Sequence, residues 1–285
     1  MSSRIIGKLD LSRYDFCSEI AYLNGIEKGA EEYDEFADGF WKNISLVNSS
    51  GSDGDSQYRN SDCAVSTGHM SRCPQIARMI SDNFDESSIR MVRARNLVDG
   101  VVIPHRDFVE LDQSVGYLRV FIPLEKNSDS FHSDEDGVFQ MMPGEVWFLD
   151  ASINHAAVNF SSDSRMFLCI DFACDRNFNV EDVMSGAGWF SGHVARRNVD
   201  RVKMGSTQFE DMLASIAVRL AAGKVRECVI ECARIHFKYD VPIEACYGWL
   251  LRAGKIVGDE LLLDKLERLR VFLMESRGMN ERFVL

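Results

Sequence analysis

Between residues 89 and 173 the chain runs in short apolar beats. IRMVRARNL, VVIPH, YLRVFIPL, GVFQMM, EVWFLD, AAVNF and MFLCIDF are parted by VDG, NSDS, DEDG, MPGE and SSDS. Strand-length runs rich in Val, Ile and Phe, bounded by Gly, Asp and Ser, predict antiparallel strands. Their even spacing predicts a sandwich or barrel of jelly-roll size. On either side the period changes to that of a helix. Over 12–24, Ser12 with Asp15 resembles a capping box, Phe16, Ile20 and Leu23 share a face, and Gly25 is a stop. A second helix is expected over 74–83. After about 205, Thr207 with Glu210 reads as an N-terminal box ahead of a stripe of Phe209, Leu213, Ile216 and Leu220. Further helices fit 225–237, 242–253 (with Pro242 at the start) and 259–276. The polar stretch NSSGSDGDSQYRNSD, 48–62, reads as an exposed loop, and 176–205, with its turn-rich SGAGWFSGH, as a connection. The expected class is α+β, with a β core flanked by helices. Residues 1–175 form the first part, and 176–285 the connection and a helical C-terminal part.

Composition changes this picture little. With 285 residues, 46% hydrophobic and 27% charged, the chain can bury a sizeable core. A net charge of −12 argues against nucleic acid or an anionic membrane as partner, since both reward basic surfaces. MSSRIIGKLDLSRYDF carries no apolar signal-type region and no 18-residue apolar run follows, so neither a signal peptide nor a membrane span is expected, and the cytoplasm is the expected location. Eight cysteines without a C-x-x-C read mostly as small core residues.

The candidate chemistry begins at VVIPHRDFVELD. On a strand, residues two apart point the same way, so His105 and Asp107 can share a target while Arg106 turns away. By itself this is weak, because a salt link at a strand end looks the same. His155, at a strand edge in the same β region, supplies a third ligand. Two imidazoles and one carboxylate on one side of a metal make the facial triad of non-haem Fe(II) oxygenases, which leaves positions for a bidentate co-substrate and dioxygen. Arg165 opens the apolar strand MFLCIDF and is awkward there without an anion. A guanidinium fork grips a carboxylate, so an α-keto acid chelated at iron would account for the triad and for Arg165 together. Zinc or manganese in a cupin-like barrel is the alternative for the metal, and the arginine favours the keto acid.

HRD, GEVWFLDASINH and Arg165 resemble the 2-oxoglutarate-dependent oxygenases of the aspartyl/asparaginyl β-hydroxylase superfamily. EEYDEFADGFWKN, ARNLVDGVVIPHRDFVELD, FHSDEDG and PGEVWFLD are more closely similar to the bacterial L-proline cis-3-hydroxylase family, and the likeness runs to the YGWL and NERF stretches of the tail. The resemblance implies a double-stranded β-helix (jelly-roll, cupin-like), Fe(II), and 2-oxoglutarate and O2 as co-substrates. It also implies hydroxylation of a free cyclic amino acid, L-proline or L-pipecolic acid, at C3. It makes His105, Asp107 and His155 the metal ligands and Arg165 the anchor of 2-oxoglutarate. Retention of Asp107 disfavours chlorination, because related halogenases lack that carboxylate. One departure stands out. Relatives commonly carry an R-x-H pattern whose histidine helps seat the co-substrate, and here Arg119 is followed by Val120 and Phe121.

For the substrate, Arg119 is the first choice to meet its carboxylate and should face the barrel interior with Phe121. Arg95 is a second choice, although the inward face of its strand is not evident. His132, in FHSDEDG, is a third, placed on a loop that could close as a lid. Trp147 reads as core, and His69, His193 and His236 as uninvolved. Two rival readings remain: hydroxylation of an aspartyl or asparaginyl side chain, free or in a peptide, and a metal-dependent barrel that binds a small ligand without turnover. The C-terminal stripe LLLDKLERLRVFL, 261–273, could serve the core or a homodimer.

Overall fold

The computed structural model describes residues 3–28, 34–59, 64–107, 116–174, 179–185, 194–278 and 281–285. Its strands are β1 (Arg4–Lys8), β2 (Ala37–Asn48), β3 (Val65–Ser66), β4 (Ile89–His105), β5 (Gly116–Pro123), β6 (Ser130–Asp134), β7 (Gly137–Gln140), β8 (Glu145–Leu149), β9 (His155–Asn159), β10 (Met166–Cys174) and β11 (Arg197–Asn198). Its helices are α1 (Cys17–Gly25), α2 (Gly68–Ser71), α3 (Pro74–Asn83), α4 (Ser206–Ala221), α5 (Val225–Lys238), α6 (Ala245–Val257) and α7 (Glu260–Met274). The strands pair antiparallel in the order β1-β8-β5-β10-β4-β9-β6-β7-β11, with β2 on the other side of β4.

Strand β4 makes this sheet a double-stranded β-helix. Its first half pairs with β10 as far as Asn96, and its second half pairs with β9 from Gly100 onward. One strand therefore belongs to both walls. The VDG at 98–100, expected as a turn between two strands, is instead a corner inside one. Asp99 takes φ +40°, and Gly39 on β2 takes φ +81°. A Cβ on Gly39 would collide with the Asp99 carbonyl, and one on Gly100 with the Asp38 carbonyl. Two facing glycines thus let the backbones touch where the sheet bends.

Alternation along the strands sorts the side chains into layers. Val92, Ala94, Val120, Ile122, Leu168 and Ile170 pack outward with Leu23 of α1 and Ile76, Met79 and Ile80 of α3. Phe121, Phe139, Trp147, Leu149, Phe167 and Cys169 pack on the inside. The C-terminal helices form the third layer, with Leu213, Ile216, Val229, Leu250 and Leu266 clustering with Val101, Val158 and Trp41 of the β core. Of the stripe at 261–273, Leu266, Leu269, Phe272 and Leu273 are buried in that layer, and Leu261 is 83% exposed. No helix among the described residues is long and apolar enough to cross a membrane.

The helix starts differ from expectation. Residues 11–13 form a 3-10 turn capped by Asp10, and α1 begins at Cys17, so Ser12 and Asp15 make no capping box. Helix α4 is preceded by Gly205 without a side-chain cap, so Thr207 does not fill that role. Helix α6 begins at Ala245, three residues after Pro242. Strand β2 was hidden by its charges. Lys42 is buried within it, and its ammonium donates to the carbonyls of Leu23, Asn24 and Ile26 at 2.8, 2.9 and 2.8 Å, closing the C-terminal end of α1. Past Ser185, SGAGWFSGH lies outside the described residues, as do His193 and Cys63.

Candidate active site

His105 ends β4 and His155 begins β9, and the two stand opposite each other in the antiparallel register. Their ring centroids are 4.3 Å apart. His105 Nδ1 donates to the Ile103 carbonyl at 2.8 Å, and His155 Nδ1 to the Ile153 carbonyl at 3.0 Å. That fixes both tautomers and leaves each Nε2 with a free lone pair turned inward. Asp107 follows two residues after His105. Its Oδ1 lies 3.5 Å from His105 Nε2, and its Oδ2 lies 3.8 Å from His155 Nε2. One ligand atom from each residue falls within 4.8 Å of the others. Burial, then the neighbouring His155, lowers His105 to about 3. Burial lowers His155 despite the pull of Asp107. Burial would raise Asp107, but Arg119, His105, His155 and Arg277 outweigh it and hold the carboxyl well below its usual range. Two neutral imidazoles and an ionised carboxylate, converging in a buried cluster, are the donor set a divalent metal requires. Arg106 points outward, with Nε donating to Asn154 Oδ1 at 2.8 Å and the guanidinium 3.3 Å from Glu135.

The triad opens into a cavity of about 240 Å³, whose lining includes Trp41, Arg93, Arg95, Arg119, Phe121, His132, Arg165 and Arg277. Four arginines enter it from the β4–β10–β5 wall. Asp171 is fully buried on β10 and takes both Arg93 Nη2 and Arg119 Nε, the latter at 2.6 Å. Arg119 reaches on with Nη1 to Asp107 Oδ2. The result is a continuous ionic chain, Arg93–Asp171–Arg119–Asp107. Arg165 and Arg95 meet no carboxylate within ion-pair distance among the described residues. Arg165 Nη2 donates to His132 Nε2, its guanidinium lies 4.3 Å from the Phe167 ring centroid, and its Nε has no partner. Arg95 lies between the rings of Trp41 and Phe121, at 5.8 and 5.6 Å, and its Nε is likewise unpartnered. Burial and the proximity of Arg95 bring Arg165 down to about 9, and burial and Arg93 bring Arg95 down to about 10. Both stay cationic at neutral pH, and both face the cavity.

A family model described as aspartyl/asparaginyl β-hydroxylase matches residues 19–174, and one described as the C-terminal part of L-proline 3-hydroxylase matches 186–281. Over 288 aligned residues, the chain is 38% identical to L-proline cis-3-hydroxylase 2 of a Streptomyces species, covering 100% of this chain and 99% of the relative. The chain belongs to the L-proline cis-3-hydroxylase family. L-proline cis-3-hydroxylase 1 of a Streptomyces species is 36% identical over 100% of this chain and 99% of its own, and an L-proline cis-4-hydroxylase of Rhizobium meliloti is 28% identical over 99% of both.

Within this cis-3-hydroxylase-family chain, the expected residues fall into place unevenly. His105, Asp107 and His155 converge, and Arg119, Arg95, His132 and Arg165 all line the same cavity. His132 is not on a lid loop. It lies in β6, 5% exposed, and burial with Arg165, His155 and Arg95 holds it well below its usual range, so it is neutral. The ring stands 5.5 Å from Phe121, so an imidazole does neighbour the residue that breaks the R-x-H pattern, but it comes from another strand. Trp147 is core, stacked on Phe139 with its Nε1 donating to Glu145. His69 bonds to the Tyr22 hydroxyl and His236 to the Val241 carbonyl.

Sequence reading passed over Asp171, although a signal was there. Residues 165, 167, 169 and 171 share one face, so the acid had to point inward with Arg165. It also read the loop after β2 as plain surface, yet Gln57 and Tyr58 line the cavity. Asn48 folds that loop back by donating to the carbonyls of Ser52 and Asp55, both at 2.8 Å.

Proposed function

We propose that the chain is an Fe(II)/2-oxoglutarate-dependent dioxygenase that hydroxylates a free cyclic amino acid, L-proline or L-pipecolic acid, at C3. The observation that carries this reading is one cavity holding both a His105–Asp107–His155 cluster and buried guanidinium groups that no acid of the described chain neutralises. An unneutralised buried cation costs several kcal/mol, so its retention points to an anion supplied from outside. When bound, the metal and 2-oxoglutarate supply the oxidising chemistry, in which one oxygen of O2 goes into succinate and the other into the new hydroxyl, with release of carbon dioxide.

The chain's own residues hold and orient. His105, Asp107 and His155 would hold the iron, leaving one side for the co-substrate. Arg165, steadied by His132, is assigned the far carboxylate of 2-oxoglutarate. Arg95, fixed between Trp41 and Phe121, is assigned the carboxylate of the amino acid, with Arg119 next to it. Arg119 is the weaker candidate of the two, because Asp171 and Asp107 already occupy it. Trp41, Phe121, Phe167 and Leu149 exclude water from the reacting carbon. The free thiols of the described cysteines and an oxidation-sensitive ferrous site fit a reducing compartment, the cytoplasm.

The test is turnover. The purified chain is reconstituted anaerobically with Fe(II), and succinate formation is then followed in air against a panel of free amino acids, with the product examined by NMR. L-proline or L-pipecolate is expected to stimulate succinate formation, with the new hydroxyl at C3. If no cyclic amino acid does so, the substrate class is wrong.

A further inference from the structure

We infer that the C-terminal helices are a working part of the metal centre: Tyr247, the Leu273 carbonyl and Arg277 hold the backbone turn that presents His105 and Asp107. Tyr247 and Arg277 are therefore positioning residues for the iron ligands. This rests on the metal-dependent reading above.

The need for such a hold follows from β4 itself. Its ladder with β9 is regular through Val102 and then slips, resuming only at His105. Ile103 and Pro104 lie in that irregularity, and Pro104 has no N–H to give. Beyond His105 the strand has ended. The polar backbone groups around the two ligands must therefore find partners outside the sheet. The barrel supplies one, as the Asp107 amide donates to the Ala151 carbonyl at 2.7 Å.

The helical layer supplies three. Tyr247, in the first turn of α6 and 2% exposed, donates its hydroxyl to the Pro104 carbonyl. The Arg106 amide donates to the Leu273 carbonyl at 2.9 Å. Leu273 sits in the last turn of α7, where carbonyls have no partner within the helix, so helix end and strand end complete each other. Arg277, three residues beyond α7, donates Nη1 to the Arg106 carbonyl at 2.9 Å. Its Nη2 lies 3.9 Å from Asp107 Oδ1, on the carboxylate oxygen that Arg119 does not take. Side-chain packing follows the same route. Phe272 of α7 meets Phe36 at 5.9 Å between centroids, Phe36 meets His105 at 5.1 Å, and Arg277 lies 5.3 Å from the Phe36 centroid.

Other polar contacts between the two parts lie elsewhere, as where Arg226 Nη2 donates to the Ala37 carbonyl at 2.6 Å. Three converge on Pro104 and on both backbone groups of Arg106, the residues that bracket His105. Partners one step behind a ligand typically change metal affinity by about 10–100-fold when lost.

Titration of the metal-depleted full-length protein with Co(II), a stable stand-in for Fe(II), followed by its absorption, tests the inference without any turnover. Tyr247→Phe deletes one oxygen without altering charge and should weaken Co(II) binding by about tenfold. Arg277→Ala should weaken it similarly, and Arg277→Gln, which keeps an N–H donor for the Arg106 carbonyl but no charge, should recover part of the loss. Co(II) binding in Tyr247→Phe and Arg277→Ala as tight as in the wild type, or tighter, overturns the inference. Uptake by the wild type no greater than by His105→Ala overturns the metal reading itself, and this inference with it. Hydrogen exchange at the Arg106 amide needs no variant. Protection comparable to the buried amides of α7 is expected, and exchange at the rate of an exposed loop contradicts the hold.

Discussion

Arg119 and Arg165 enter one cavity from neighbouring segments of the same wall, and the chain treats them in opposite ways. Arg119 is clasped by Asp171 and Asp107, and the ionic chain continues to Arg93. Arg165 has an imidazole, a phenyl ring and no acid among the described residues. Arg95 follows Arg165, with aromatic rings for neighbours. Residue type and burial are the same in the two regions, and only the pairing differs. The guanidinium already neutralised is tied to the Asp107 carboxylate. On the proposed function, the one with no acid partner among the described residues is a place kept for a carboxylate from solution.

The sharpest way to break this comparison is to remove the acid that distinguishes the two regions. Asp171→Ala leaves Arg93 and Arg119 buried without their shared partner and should cost about 3–5 kcal/mol of stability, measured by denaturant unfolding. A loss below about 1 kcal/mol would mean that the network is incidental.

Acid probes the triad in the same cavity. In the metal-free protein His105 titrates near 3, against an ordinary 6.5, and His155 is also lowered. Below pH 6.5 the unfolded chain therefore binds protons that the folded one refuses. Stability from these neutral rings is complete above pH 6.5 and drains as the pH falls, for His105 until about 3, at up to about 1.4 kcal/mol per pH unit for each ring. His105→Ala should flatten that slope in pH-dependent unfolding curves, and an unchanged slope would place the proton uptake elsewhere.

Arg95→Met should raise the KM for the amino acid by ten- to a hundredfold, roughly 1.5–3 kcal/mol for a charged hydrogen bond, while leaving the KM for 2-oxoglutarate nearly unchanged. A rise in both, or only in the second, would reassign Arg95. The smallest effect belongs to Arg106→Ala. Its ion pair with Glu135 is partly exposed, so a change of no more than about 1 kcal/mol is expected, with unaltered Co(II) affinity. Loss of the metal would show that the residue between the ligands does more through its side chain than its outward direction implies.

The β core and the helical flanks were legible because period survives in local sequence. MFLCIDF is a strand-length apolar run bounded by turn residues, and the helical stripes repeat. The triad was legible from the spacing of His105 and Asp107, although Asp107 lies past the end of β4 and is aimed by the turn that follows rather than by strand alternation. Strand β2 was not, because Lys42 occupies an interior position whose partners are carbonyls of α1, distant in sequence. The corner at Asp99–Gly100 reads as a turn locally, and only its facing Gly39 shows it to be a bend within one strand. His132 read as a loop residue because FHSDEDG ends in a turn, although its first residues complete a strand. Tyr247 and Arg277 had no local signature at all, as their partners are carbonyls 143 and 171 residues away.

On the proposed function Arg165 awaits an anion that Arg119 does not, and one titration separates the two. Calorimetric binding of 2-oxoglutarate to the anaerobic Fe(II)-loaded protein is compared between wild type and Arg165→Met, with unfolding free energies measured alongside. Arg165→Met is expected to be at least as stable as the wild type, because a buried charge with no acid partner among the described residues is gone, and to lose about 2–5 kcal/mol of 2-oxoglutarate affinity. Wild-type affinity in Arg165→Met, or a protein destabilised as Asp171→Ala is expected to be, would contradict it.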